Sequence, residues 1–146
     1  MDTISLRQAT SVDGDFLYQL IKTTMREYVE PIWGWDEDWQ SNYFRERFDP
    51  DEVQIVVLDG QDIGAVSVEI RATELFLSRI YLLPAYQGRG IGTCLIQSIL
   101  DEAFAQGLPV TLQVLKGNPA RGLYERLGFT HTEETETHDR MVAMPR

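Results

Sequence analysis

Between an apolar run that ends at Leu82 and an amphipathic run that opens at Ile91, the chain carries Gln87-Gly88-Arg89-Gly90-Ile91-Gly92. Strand, glycine-rich turn and helix in that order leave backbone N–H groups uncovered at the positive end of a helix, where they can hold an anion. Arg89 adds a local cation. The same glycines also suit a plain tight turn, and the residue types leave both readings open. Two nucleotide-binding schemes fail in detail. The dinucleotide fingerprint needs glycine or alanine where Thr93 stands, and the Walker loop needs a Lys-Ser/Thr pair that is absent. An acidic partner for a ribose is also missing at the expected distance.

The rest of the chain supplies an alternating set of elements around that turn. Ile4–Ala9 alternates like a short strand, and Ser11–Gly14 breaks it. Apolar residues from Phe16 to Val29 recur at three and four residues, which predicts a helix over 15–29 closed by Pro31, with Trp33 and Trp35 in the turn after it. Asp36, Glu37 and Asp38 open a second helix running to Phe48, their charges complementing its dipole. Val53–Leu58 and Ile63–Ile70 flank Asp59-Gly60, a strong hairpin signal. Leu75–Leu83 is a further strand, and Ile91–Gln106 a helix with Ile91, Leu95, Ile99 and Ala103 on one face. Val110–Leu115 reads as a strand, Asn118-Pro119 starts a short helix to about Leu127, and Phe129–Met144 reads as two antiparallel strands. With 146 residues, 43% of them hydrophobic, the expectation is one α/β domain spanning 1–146, built on a mixed sheet of about seven strands with four helices.

Charge and cysteine usage narrow the class of partners. Thirteen basic against twenty-three acidic residues give a formal net charge of −10, so the surface repels phosphate backbones and anionic headgroups, and neither nucleic acid nor membrane is an expected partner. Cys94 is the one cysteine, placed on the expected core face of its helix as a small hydrophobe. It has no partner for an internal disulfide, and the first residues contain no long apolar run; both point to the cytoplasm. His131 and His138 lie in the polar tail without the ligand spacing of a structural zinc, so no metal is expected.

The stretch Leu82-Leu83-Pro84-Ala85-Tyr86-Gln87-Gly88-Arg89-Gly90-Ile91-Gly92-Thr93 resembles the acyl-CoA signature of the GNAT superfamily of N-acetyltransferases, whose pattern is Arg/Gln-x-x-Gly-x-Gly/Ala. Gln87, Gly90 and Gly92 fill its three fixed places. Downstream, Asn118 to Phe129 resembles the second signature of the same family. The resemblance is tight from about Ile80 to Phe129, and the element order carries it to the whole chain.

The resemblance implies a GNAT-like fold in which the amides of Gln87, Gly88, Arg89, Gly90, Ile91, Gly92 and Thr93 grip the diphosphate of acetyl-CoA. It places the pantetheine arm between strands Arg79–Leu82 and Val110–Leu115, which splay apart at the acyl-CoA cleft, alongside Ile80, Tyr81 and Leu82. An amide near Leu82 becomes an oxyanion donor. Asn118, Ala120 and Arg121 join the coenzyme contacts. Asn118 also suits a helix cap, and Arg121 a surface pair with Glu125. Tyr124 matches the tyrosine that protonates the leaving thiolate; a phenol with an ordinary pKa near 10 is protonated at neutral pH. A buried core tyrosine is the competing account of that residue.

An acceptor ammonium must lose a proton before it attacks. Glu69 and Glu74 flank the turn where such a base is expected, with Glu69 preferred; solvated carboxylates at strand ends are the plainer reading. Trp33 and Trp35, followed by three acids, suit a cationic amine, or else are core tryptophans beside an acidic helix start. The expected function is direct transfer of an acetyl group from acetyl-CoA to a primary amine of a small molecule or peptide. The alternatives are an acyl-CoA-binding sensor without transfer and a scaffold anchored by its tryptophans. Homodimers are common among such folds and are one expected assembly.

Overall fold

A computed structural model describes residues 4–145. In chain order the elements are β1 (Ile4–Gln8), α1 (Gly14–Trp33), α2 (Glu37–Arg47), β2 (Gln54–Leu58), β3 (Gln61–Ile70), β4 (Leu75–Leu82), α3 (Ile91–Ala105), β5 (Val110–Leu115), α4 (Ala120–Arg126), β6 (Thr130–Glu134) and β7 (His138–Ala143). The strands form one seven-stranded sheet in the order β1-β2-β3-β4-β5-β7-β6. By packing the chain forms two compact units, one running through Ser67 and taking in Arg79–Gly88, the other made of Val68–Ser78 and everything from Arg89 onward.

In the first unit Leu17 and Leu20 of α1 pack with Ala9, Val53, Ile55 and Ala65, and Phe16, Phe44, Phe48, Tyr81 and Leu83 close over that cluster. Asp59 and Gly60 both take positive φ, 49° and 85°, the conformation a two-residue hairpin with the native strand twist requires. The pairing of β2 with β3 slips between Val56 and Val57, a bulge opposite Gly64. Arg7 on β1 ties this corner together, reaching the buried Asp13 at 2.8 Å and Asp62 of β3 at 2.9 Å.

Helix α1 does not stop at Pro31. It continues to Trp33 with Pro31 inside its last turn, where one i−4 bond is forfeited, and Gly34, at φ 74°, closes the helix with its N–H on the Glu30 carbonyl at 2.8 Å. Trp33 is therefore the last helical residue and 59% exposed, which removes the reading of it as a core tryptophan.

In the second unit the buried face of α3 is Ile91, Leu95, Ile96, Leu100 and Ala103. The expected face included Ile99 and placed Cys94 inward; Ile99 is only half-buried and Cys94 is exposed. The reason is geometric: Cys94 lies one turn before Ser98 and two before Asp101, so it shares the polar, exposed side of the helix although its own residue type is apolar. Strand β7 alternates, burying Asp139, Met141 and Ala143, and pairs antiparallel with β5 along its length, from Val110↔Ala143 to Leu115↔His138. Every residue of the edge strand β6 is exposed, and its Thr, His and Glu side chains discourage pairing with another chain. Phe129, expected at the head of that strand, is instead a buried residue before it. The parallel register of β4 with β5 covers only Leu75↔Val110 and Phe76↔Thr111, the first two residues of each strand.

Candidate active site

In the first unit, β4 ends in a tight 3-10 turn, Pro84–Tyr86. Leu83 donates its N–H to the Ile63 carbonyl at 2.8 Å, and the Tyr86 hydroxyl reaches the Gln61 side-chain oxygen at 3.0 Å. Gln87 turns its side chain back, Nε2 donating to the Leu82 carbonyl at 2.9 Å, and its own N–H donates to the Pro84 carbonyl at 3.2 Å, so this glutamine braces the loop from within. Ile80, Tyr81 and Leu82 are half-buried. Tyr81 packs in the unit's core, and burial raises its phenol above the ordinary range. Beside them Gly64 of β3 is packed so closely that a Cβ built on it would lie 2.2 Å from the Tyr81 carbonyl and 3.3 Å from the Leu82 Cα. Gly88 takes φ 74° in open space, so its glycine answers a backbone conformation and no crowding.

In the second unit Gly90 is the N-terminal cap of α3, left-handed at φ 82°, without a side-chain cap, and its carbonyl takes the Cys94 N–H at 3.0 Å to start the helix. The first-turn amides of such a helix lack intrahelical acceptors, and they belong to Ile91, Gly92 and Thr93. Ile91 spends its side chain on the core, so its main chain is what remains for a ligand, while Arg89 and Thr93 are exposed. A left-handed Gly90 with free space around it and an uncapped helix start are of the kind a diphosphate fits.

Also in the second unit, Asn118 accepts the Ala120 N–H on Oδ1 at 2.9 Å, which opens α4, so its capping role is present in the fold. Tyr124 is 9% exposed and packs edge-on against Phe129 with ring centroids 5.7 Å apart. Arg121 meets Glu125 at 3.3 Å and the buried Asp139 at 3.1 Å. Glu69 is exposed and paired with Arg71 at 2.8 Å. Glu74 is largely enclosed, accepting from the Thr111 hydroxyl and facing Arg140 at 3.6 Å, which makes it a tie across strands.

The histidine spacing in sequence gave no metal pattern, yet folding brings ligand atoms of His131, Glu134 and Asp139 within 4.8 Å of one another. Arg121 already neutralises Asp139, and Lys116 sits 3.0 Å from Glu134. Two resident cations make this an ion-pair network and a poor seat for a third positive charge.

In the first unit the acidic turn between α1 and α2 is organised by Glu37. Its carboxylate accepts from the Trp35 indole N–H at 2.9 Å and the Tyr18 hydroxyl at 3.0 Å, and Lys22 lies at 3.0 Å. The indole bond, followed by Lys22 and Tyr18, holds the Glu37 carboxyl down to about 2. Burial first, and then the same carboxylate, push the Tyr18 phenol up to about 12. Trp35 is thus fixed in place, with Arg26 5.9 Å above its ring, while Trp33 stands exposed at the end of α1. Glu37 was legible only as a dipole partner; nothing in its spacing announced the hub. Asp139 also escaped notice, although a lone acid in an alternating strand is a signal, as is the strand-interior glycine Gly64.

The acetyltransferase (GNAT) family model matches residues 15–129. The chain belongs to that family. Its central sheet and four helices are the family's fold. The ribosomal protein bS18-alanine N-acetyltransferase of Haemophilus influenzae is 32% identical over 79 residues, 53% of this chain and 54% of that protein. The mycothiol acetyltransferase of Beutenbergia cavernae is 34% identical over 88 residues, 57% of this chain and 30% of that one. The chain thus spans about half the length, or less, of these curated relatives. Among solved structures, the PaiA N-acetyltransferase of Thermoplasma acidophilum in complex with coenzyme A superposes with a TM-score of 0.78 at 19% identity, covering 97% of this chain and 99% of that one, a likeness of fold. Among the described residues no helix is long and apolar enough to cross a membrane.

Proposed function

We propose that this chain is an N-acetyltransferase that moves an acetyl group from acetyl-CoA to a primary amine by direct attack, with both substrates bound at once. The observation that carries the reading is the left-handed Gly90 at the uncapped start of α3, within a chain matched by the GNAT family model. Backbone amides there meet the diphosphate, with Gln87 bracing the turn and Arg89 adding charge. The resemblance to the family supports contacts to the arm that carries the thioester from the main chain of Ile80–Leu82 and from the Asn118–Arg121 segment.

Acetyl-CoA supplies an activated thioester whose C–S bond breaks as the acceptor nitrogen forms its bond to the acetyl carbon. Tyr124 gives its phenolic proton to the departing sulfur, and an amide near Leu82 stabilises the carbonyl oxygen as it gains charge. Glu69, exposed at the end of β3, takes the ammonium proton through water. Trp33 and Trp35, beside Asp36 and Asp38, receive a cationic acceptor of small-molecule or peptide class.

Calorimetry with coenzyme A, followed by thiol release across an amine library, tests the reading. Binding together with turnover of at least one amine supports it. Binding without turnover for any amine points to an acyl-CoA sensor, and no affinity at millimolar coenzyme A removes the assignment altogether.

A further inference from the structure

Helix α4 is seven residues long. Isolated helices shorter than about 12 residues are marginal in water, so its place is set by what its side chains hold. One attachment is apolar: Tyr124 lies edge-on to Phe129, whose N–H donates to the Tyr124 carbonyl at 3.0 Å. The other is ionic. Arg121, one turn before Tyr124, donates through Nη1 to Asp139 Oδ2 at 3.1 Å, while Asp139 Oδ1 meets His131 Nε2 at 3.2 Å.

Asp139 is only 6% exposed and occupies a core position of β7, in line with Met141 and Ala143. A carboxylate there is an expensive choice, since replacing a buried ion pair by apolar side chains is often neutral or stabilising. What an apolar residue would lack is direction: a carboxylate with one oxygen on Arg121 and the other on His131 fixes the rotation of α4 relative to β6 and β7.

We propose that Asp139 is a positioning residue for acetyl transfer, holding α4 through Arg121 and thereby setting where the Tyr124 hydroxyl lies. This rests on the role assigned above to Tyr124 as the acid. The remaining charged neighbours do not compete for Asp139: Glu125 takes Arg121 Nε at 3.3 Å on the outer side of the helix, and Lys116 is engaged by Glu134.

Asp139→Asn keeps the shape and removes the charge. The expected result is a single-turnover rate lower on the order of tenfold, in keeping with a displaced catalytic group, with the KM for acetyl-CoA little changed. In a Tyr124→Phe background the same substitution should cost nothing further, because a group that acts only through Tyr124 has nothing left to place. Amide hydrogen exchange over residues 120–127 should quicken in Asp139→Asn.

His131→Asn trims the exposed partner and should give a smaller loss of the same sign. If Asp139→Asn does not fold, a His131→Asn rate equal to that of the unmodified protein overturns the inference. An undiminished rate in Asp139→Asn overturns it too, as does a full loss that persists without Tyr124; in either case the role of Tyr124 stands if Tyr124→Phe alone is slow. A Tyr124→Phe protein as fast as the original overturns both proposals together.

Discussion

Two single residues carry opposite kinds of information. Tyr124 is defined by a group it possesses, Gly64 by one it lacks. Removing the Tyr124 hydroxyl leaves its packing on Phe129 intact, so Tyr124→Phe should leave coenzyme A affinity nearly unchanged while the single-turnover rate falls on the order of 10²-fold, the usual worth of a positioned acid. An unchanged rate would remove Tyr124 from that role. Gly64→Ala inserts a carbon 2.2 Å from the Tyr81 carbonyl, backbone that cannot swing aside like a side-chain tip. We expect destabilisation of about 1–3 kcal/mol, as for overpacked interiors, read from urea unfolding, together with a raised KM for acetyl-CoA as the Tyr81–Leu82 stretch is pushed off course. A Gly64→Ala variant of undiminished stability would show that β4 is free to move. The contrast explains what the sequence reveals of the site. The glycine loop and the Asn118–Tyr124 segment stand out because their residue types recur at fixed spacing along the chain. Asp139 and Glu37 act through partners far away in sequence, Arg121 on α4 and Tyr18 and Lys22 on α1, and spacing holds no record of those.

At the scale of elements, legibility follows how strongly a local pattern excludes its rivals. Asp59-Gly60 between two apolar runs admits little but a hairpin, and β2 and β3 lie where that implies. The end of α1 departs from expectation because a proline near a helix end permits more than one outcome, and the rotation of α3 because Cys94, apolar by type, shares a side with Ser98 and Asp101. Two junctions between elements can be tested directly. Gly90 sits at φ 82° with nothing near its Cβ position, so Gly90→Ala should cost about 1–2 kcal/mol through the backbone alone and should weaken coenzyme A binding by distorting the start of α3. A melting temperature and a calorimetric affinity both unaltered would contradict this. The β1 corner depends on pH. Arg7, first by its hydrogen bond, holds the buried Asp13 carboxyl down to about 2 from an ordinary 3.8. A folded pKa below the unfolded one means stability that is complete above about pH 4 and is lost as pH falls through 2. Its worth is roughly 1–2 kcal/mol, given how such shifts convert and how wet the Arg7 side of the pair is. Asp13→Asn should therefore lose stability near neutrality and little near pH 2, the two urea curves converging with acid; parallel curves would assign the acid sensitivity elsewhere.

For the molecule as a whole, fold and family were both accessible from sequence because a single chain segment, Ile80–Phe129, holds the signatures, and the element order supplies the rest. The acceptor is a different matter. It is recognised by surface, and surface chemistry here is dominated by one quantity, a formal net charge of −10. Such a field gathers cations and repels anions at long range and is screened by salt, with a Debye length near 10 Å at about 0.1 M. If the acceptor is cationic, kcat/KM for it should fall several-fold as ionic strength rises from about 0.05 to 0.5 M, since the encounter loses its long-range attraction. An aromatic amine that is neutral at the same pH serves as the internal comparison, because its reaction shares the donor, the acid and the loop but not the attraction. The donor is itself an anion, so its own KM should move the opposite way, falling as salt screens its repulsion from the acidic surface. Measuring both substrates on one enzyme preparation separates a field effect from general salt inhibition: opposed slopes identify the acidic surface as a selector of cationic amines, and parallel slopes show that the charge serves solubility alone.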